Sequence, residues 1–206
     1  MKLHQLEIMN SPVSMSRRKL FSVLPAGCLS CAAAARCNAQ TGGPAPAHSP
    51  TEKADVTWEE MFRFAFQKDL VPILKALAAQ IGREKFVQML QDTTGGMAGK
   101  GMAGRSLPKR DFATFTANLR SVPPLYQHAF QWEMLEDSPR AFEYRVTQCL
   151  WAKSFVDQDA GDIGYAMVCH PDYAIATGFN PKLKLTRTKT LMQGGDSCHF
   201  RYTMET

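Results

Sequence analysis

Three cysteines in the C-terminal third, Cys149, Cys169 and Cys198, are the groups in this chain best suited to covalent or metal chemistry. Two of them carry partners in the next few residues, in Cys169-His170-Pro171-Asp172 and in Gly195-Asp196-Ser197-Cys198-His199. One chemistry this permits is nucleophilic: a thiolate attacks an electrophilic C=N or C=O carbon, a carboxylate or imidazole moves protons, and water releases the product. Cys169 is the preferred nucleophile, with Asp172, Cys198 and His199 as the other catalytic candidates. The second chemistry is metal binding, with Cys149, Cys169, Cys198 and His170 holding zinc or another thiophilic divalent ion that activates water or is simply stored. No C-x-x-C pair is present, so either site forms only through folding. A third reading is three thiols packed as small hydrophobes, or two joined as a disulfide in an oxidising compartment.

The elements that must position these groups can be read from periodicity. From Val56 to about Gln91 apolar residues recur at spacings of three and four, the pattern of helices. Thr57 and Glu60 form a capping box, Pro72 should break the pattern or begin a second helix near Val71, and Gly82 marks another break. Gly95 to Gly104 repeats G-M-A-G and reads as a mobile loop, suited to a lid. The phosphate-cradle alternative fails, since Lys100 is followed by Gly101 instead of Ser or Thr. Asp111 to Arg120 is a short helix stopped by Pro123-Pro124.

Tyr126 to Met134 alternates as a half-buried strand that places His128 on its apolar face, towards whatever the sheet encloses. A turn at Asp137-Ser138-Pro139 leads into Phe142, Tyr144 and Val146, completing a hairpin. A helix starts near Cys149, where the dipole and free N–H groups lower a thiol pKa. Asp162 caps the next helix, which carries Tyr165 and Cys169. Lys182 to Met192 and Ser197 to Met204 form a second hairpin about Gln193-Gly194-Gly195-Asp196. Its alternation puts Cys198, Phe200 and Tyr202 on one face and His199 and Arg201 on the other. Arg187 and Lys189 share a strand face where they can bind a substrate carboxylate or simply meet solvent; Arg187, Tyr165 and His128 are the substrate-binding candidates.

The order Cys149, Cys169-His170-Pro171-Asp172, Gly178-Phe179-Asn180-Pro181, Arg187-Thr188-Lys189-Thr190-Leu191 and Gly195-Asp196-Ser197-Cys198-His199-Phe200-Arg201 resembles the L-2-amino-thiazoline-4-carboxylate hydrolase family. The resemblance spans roughly residues 57–204 and is strongest over 145–203. It implies an α+β domain and hydrolytic opening of a cyclic thiazoline amidine to a carbamoyl-cysteine. The expected fold is a single α+β domain over 56–206, with N-terminal helices packed on antiparallel β-hairpins. The expected function is an exported hydrolase acting on a C–N bond of a small cyclic amidine or amide. The alternative is a non-catalytic periplasmic protein that binds a metal or small ligand through its Cys/His cluster.

Export is read from residues 1–39, where Ser16-Arg17-Arg18-Lys19 and the weakly apolar Ser22 to Ala35 resemble a twin-arginine signal with cleavage after Ala39. Its partner would be the twin-arginine export machinery, and its destination the periplasm or beyond. Leu24-Pro25-Ala26-Gly27-Cys28 also resembles a lipoprotein processing site, with an anchor at Cys28, and Met15 is an alternative start to Met1. Residues 40–55 read as a disordered spacer. The formal charge is +5, but Lys2, Arg17, Arg18, Lys19 and Arg36 against Glu7 supply most of it, leaving 19 basic and 18 acidic residues beyond Ala39. That balance, without a basic stripe, excludes the electrostatic footprint of a nucleic-acid-binding protein. No segment of the mature chain is long and apolar enough to span a membrane.

Overall fold

Thr57 starts the first helix through the expected capping box: its hydroxyl accepts the Glu60 N–H at 3.1 Å, and Glu60 Oε2 accepts the Thr57 N–H at 2.9 Å. Helix α1 (Trp58–Phe62) widens into a π-helical segment, Arg63–Leu70, and re-forms as α2 (Val71–Ile81). Pro72 therefore lies in the first turn of a regular segment that begins at Val71, one of the two expectations for it, and the helix continues through it without a break. A proline ring in a regular helix meets the carbonyl four residues back, and the wider turn just before it relieves that conflict. The same device recurs downstream, where α7 (Gly161–Gly164) widens over Tyr165–Cys169 and continues as α8 (Pro171–Phe179). There the His170 N–H reaches Tyr165 O, five residues back, at 2.8 Å. Each of the two continuous helices holds a proline just after its π-helical segment.

A computed structural model describes residues 55–121 and 123–205, which lie within one compact unit. The export signal at 1–39, the Cys28 processing site and all but the last residue of the spacer lie outside the described residues. After Gly82, which has a φ of 94° and does end α2, comes α3 (Arg83–Ala103). This helix runs through the glycine-rich stretch expected to be a mobile loop. Four internal glycines each disfavour a helix by about 1 kcal/mol, and the offsetting gain is contact. Gly95 and Gly99 lie against α8, and a Cβ on Gly99 would sit 3.5 Å from Ala174 Cβ. Glycine here permits close approach of two helix backbones.

Asp111 caps α4 (Phe112–Arg120), accepting the Thr114 N–H at 2.8 Å. A short turn of helix, α5 (Pro124–Gln127), precedes β1 (Phe130–Asp137), which pairs antiparallel with β2 (Ala141–Cys149). Helix α6 (Leu150–Val156) follows directly. After α8 come β3 (Leu183–Arg187), a 3-10 turn at Leu191–Gln193 and β4 (Cys198–Met204). The second hairpin's first strand is thus shorter than its alternation predicts, because Thr190 caps the 3-10 turn by accepting the Gln193 N–H. Ala160, not Asp162, occupies the cap position of α7; Asp162 sits in its first turn, bound by Arg83 at 2.6 and 2.7 Å.

The two hairpins join through a β2–β4 pairing into one antiparallel sheet of order β1-β2-β4-β3. Helices cover its inner face. Phe112 and Phe115 of α4 with Ala176 and Phe179 of α8 pack on Phe142, Tyr202 and Leu183. A second apolar cluster joins Val71, Leu74 and Ala78 of α2 to Phe86, Phe155, Ile163 and Met192. Phe142, Phe155 and Phe179 are fully buried, each contributing about 2–3 kcal/mol. The continuous helix 161–179 belongs to both clusters, Ile163 to one and Phe179 to the other, so its π-helical middle lies where they meet. Among the described residues, no helix is long and apolar enough to cross a membrane.

Candidate active site

Cys169 ends the π-helical segment, and Asp172 follows three residues later in the first turn of α8, on the same side of the helix. The residue that ties them together is Arg187, at the end of β3. Leu183, Leu185 and Arg187 alternate onto the inner face of the sheet, so the strand pattern drives a guanidinium into the interior beneath α8. Its side chain is 1% exposed. One terminal nitrogen donates to Cys169 O at 2.9 Å and the other to Asp172 Oδ2 at 2.5 Å. The guanidinium carbon lies 4.1 Å from the Phe200 ring centroid and 5.3 Å from that of Tyr173, cation–π contacts in a desolvated setting. Its Nε is the one buried side-chain nitrogen or oxygen among the described residues without a hydrogen-bond partner.

Burial raises the Asp172 pKa, opposed by the charge and hydrogen bond of Arg187, and 30% of the side chain remains exposed. Burial likewise pushes the Cys169 thiol up to about 12, with Arg187 pulling in the other direction. Four phenols surround the pair. Tyr202, buried, and Tyr144, half-buried, face it from the sheet, both held above the ordinary tyrosine range by desolvation. Tyr165, raised to about 12 by burial, and Tyr173 approach from the helix.

Cys198 is buried at 6% exposure on the same sheet face and accepts the Leu191 N–H at 3.2 Å. Cys149 caps α6, its sulfur accepting the Ala152 N–H at 3.5 Å, and lines a cavity of about 420 Å³ with Leu191, Gln148, Lys153, Asp157 and Glu59. All three cysteines are free thiols. The helix-start position was expected to lower the Cys149 pKa, but it is raised, because desolvation outweighs the backbone donors. Cys149 is the thiol on the cavity, Cys169 the thiol beside the charges.

The structure thus brings Cys169, Asp172, Arg187, Tyr165 and Cys198 to one junction and leaves other candidates elsewhere. His199 lies on the opposite face of the sheet, as its alternation requires. There its Nε2 meets Glu143 Oε1 at 2.7 Å and its Nδ1 meets Thr188 Oγ1 at 3.2 Å, while Arg201 binds Glu143 and Glu136. His128 is not on a strand: it ends α5, is exposed, and stacks on Trp58 at 4.9 Å. Pro124 can begin a helix but not extend a strand ladder, and that shortens the expected strand. His170 turns towards α3, where its ring lies 3.6 Å from the position a Cβ on Gly95 would take. Among the described residues no three His, Cys, Asp or Glu side chains are grouped to hold a metal ion, so Cys149, Cys169, Cys198 and His170 do not form the expected set. Tyr144, Tyr202 and Tyr173 were not singled out from the sequence, where inner-face tyrosines read as core.

The thiol shift has a measurable consequence. An unfolded cysteine ionises near pH 8.5 whereas native Cys169 holds its proton to about 12. Between those values the native state binds more protons than the unfolded one, so Cys169 stabilises fully below pH 8.5 and progressively less above it. Urea midpoints measured from pH 7 to 10 are expected to fall above pH 8.5, and to fall less in Cys169→Ser.

The arrangement defines a single-domain α+β protein with a thiol, a carboxylate and a guanidinium gathered where a π-widened helix crosses an antiparallel sheet. Residues 58–202 match the family model for L-2-amino-thiazoline-4-carboxylic acid hydrolase, and the chain belongs to that family. A search of curated proteins found no match.

Proposed function

We propose that this protein is an exported, cysteine-dependent hydrolase that opens a small cyclic amidine of the thiazoline-carboxylate type at a ring C–N bond. The observation that carries the reading is the Arg187–Asp172 pair bonded to the backbone of Cys169. A charged pair withdrawn from solvent is expensive in free energy and adds little stability over apolar packing, which favours a functional reason for it. Family membership supports the substrate type.

In this reading Asp172 takes the Cys169 proton, and Arg187 lowers the energy of the thiolate. The thiolate adds to the amidine carbon, and the ring nitrogen leaves with the proton held by Asp172. The exocyclic amine gives up one proton as the ring nitrogen departs as a primary amine, leaving a dithioimidocarbonate whose C=NH carbon is bonded to the substrate sulfur and to Cys169 Sγ. Water adds to that carbon and expels the thiolate, so the net change is one water consumed and one C–N bond broken. The arginine pair, apolar stretch and small-residue site in residues 16–39 support export.

The test is turnover of 2-amino-thiazoline-4-carboxylate by purified protein. C–N cleavage gives S-carbamoyl-cysteine and a new primary amine, which amine reagents and mass spectrometry detect. A new thiol would instead mark C–S cleavage, and no product would reject the reading.

A further inference from the structure

Arg187 has three donor nitrogens, and hydrogen bonds within the fold engage two of them. One terminal nitrogen donates to the carbonyl of Cys169 and the other to the carboxylate of Asp172. The Nε–H is left buried and unpaired. Unpaired buried donors of this kind are uncommon in native structures and call for a specific explanation. Here the donor belongs to a guanidinium whose terminal nitrogens are bonded to the Cys169 backbone and the Asp172 carboxylate and which two aromatic rings hold in place.

We propose, resting on the hydrolase reading above, that Arg187 is the positioning residue of the site. From strand β3 it holds the Cys169 backbone and the Asp172 carboxylate in register, and it keeps Nε–H for a single acceptor atom of the bound substrate. The first role arises because Cys169 lies in a π-helical segment, where the backbone departs from the regular ladder and a cross-brace fixes it. The second follows from the donor count. Lysine cannot replace this group: it carries the charge but offers one nitrogen at one point, with no fork and no Nε–H.

Asp172 is faced by Arg187 from β3, Tyr144 from β2, Tyr202 and Cys198 from β4, and Cys169 on its own helix. Arg187 is the one cation in that set. Removing it leaves burial unopposed, so the acid limb of the rate profile, below which Asp172 cannot accept a proton, moves to higher pH.

The experiment compares the full chain with Arg187→Lys and Arg187→Ala, using turnover across pH and circular dichroism to verify folding. Arg187→Lys is expected to lower kcat by about 10²-fold, the scale set by ångström-level misplacement of reacting groups. KM should rise about tenfold through loss of one hydrogen bond to substrate. Arg187→Ala should show the displaced acid limb and regain activity when guanidinium or ethylguanidinium is added. A folded Arg187→Lys with unchanged kcat, KM and pH profile overturns the proposal. So does a folded Arg187→Ala that guanidinium does not rescue at any pH. Cys169→Ser measured alongside separates the two claims. An active Cys169→Ser with an impaired, guanidinium-rescued Arg187→Ala rejects the thiol as nucleophile while keeping Arg187 in its role.

Discussion

Replacing Cys169 with serine is expected to reduce turnover of 2-amino-thiazoline-4-carboxylate by three or more orders of magnitude while leaving the fold intact, on the scale seen when a nucleophile is removed. A hydroxyl in the same place is a far weaker nucleophile than a thiolate, and Asp172 is too weak a base to generate an alkoxide. The substitution removes little volume and keeps a polar group able to hydrogen-bond, so the thermal midpoint should move by only a few degrees. Cys169→Ser thus separates chemistry from stability, which cannot be said of Cys198→Ser, since Cys198 is buried and its sulfur accepts a backbone N–H. Cys149→Ser is the informative control. Cys149 faces the cavity of about 420 Å³, whereas Cys169 lies beside Arg187 and Asp172. If Cys149→Ser abolishes turnover and Cys169→Ser does not, access outweighs electrostatic activation and the assignment of the nucleophile is wrong.

Much of the architecture follows from local pattern. Thr57 and Glu60 announce the first helix, Asp111 the fourth, and the alternation of Cys198, Phe200 and Tyr202 gives the buried face of β4 before any contact is known. The features that escape such reading depend on distant partners. Pro72 suggests a break or a new helix start because a regular helix cannot absorb it; that Pro72 and Pro171 each follow a π-helical turn depends on backbone geometry no residue type encodes. The Cys149 thiol was placed correctly at a helix start, yet its pKa moves the other way because desolvation is set by packing around it. Arg187 is the clearest case. The strand pattern placed it on one face with Lys189, where binding a substrate carboxylate and simple solvation suited both equally. In the fold Lys189 lies beyond β3 and pairs with exposed Asp196, while Arg187 is enclosed against Phe200 and Asp172. Which of two similar cations is buried was decided by where the strand ends.

The glycine-rich stretch, read as a loop and found as a helix, supplies the other large effect. Gly178 of α8 crosses α3 so closely that a Cβ there would lie 2.5 Å from Gly99 O and 3.1 Å from Gly99 Cα. Both obstructing atoms belong to the backbone, which cannot rotate away as a side chain could. Alanine at 178 must therefore push the helices apart, and overpacking of this kind costs about 1–3 kcal/mol. The gain in helix propensity from Gly to Ala, about 1 kcal/mol, offsets only part of it. Arg110 opposes the separation as well, because its guanidinium donates to Gly178 O and Phe179 O at the end of α8 and to Met102 O and Ala103 O at the end of α3. Gly178→Ala should accordingly lower the midpoint of urea unfolding, with an unchanged m-value if two-state behaviour holds. It should also lower kcat, since α8 carries Asp172 and a shift of the helix lengthens the bond from Arg187. Ala174→Gly, which removes a methyl from the same crossing without forcing it open, provides the contrast: stability falls through a cavity and a weaker helix, while the Asp172–Arg187 geometry and kcat are retained. If Gly178→Ala is as stable and as active as the parent protein, the close crossing does not set the position of α8, and the glycines of α3 need another explanation.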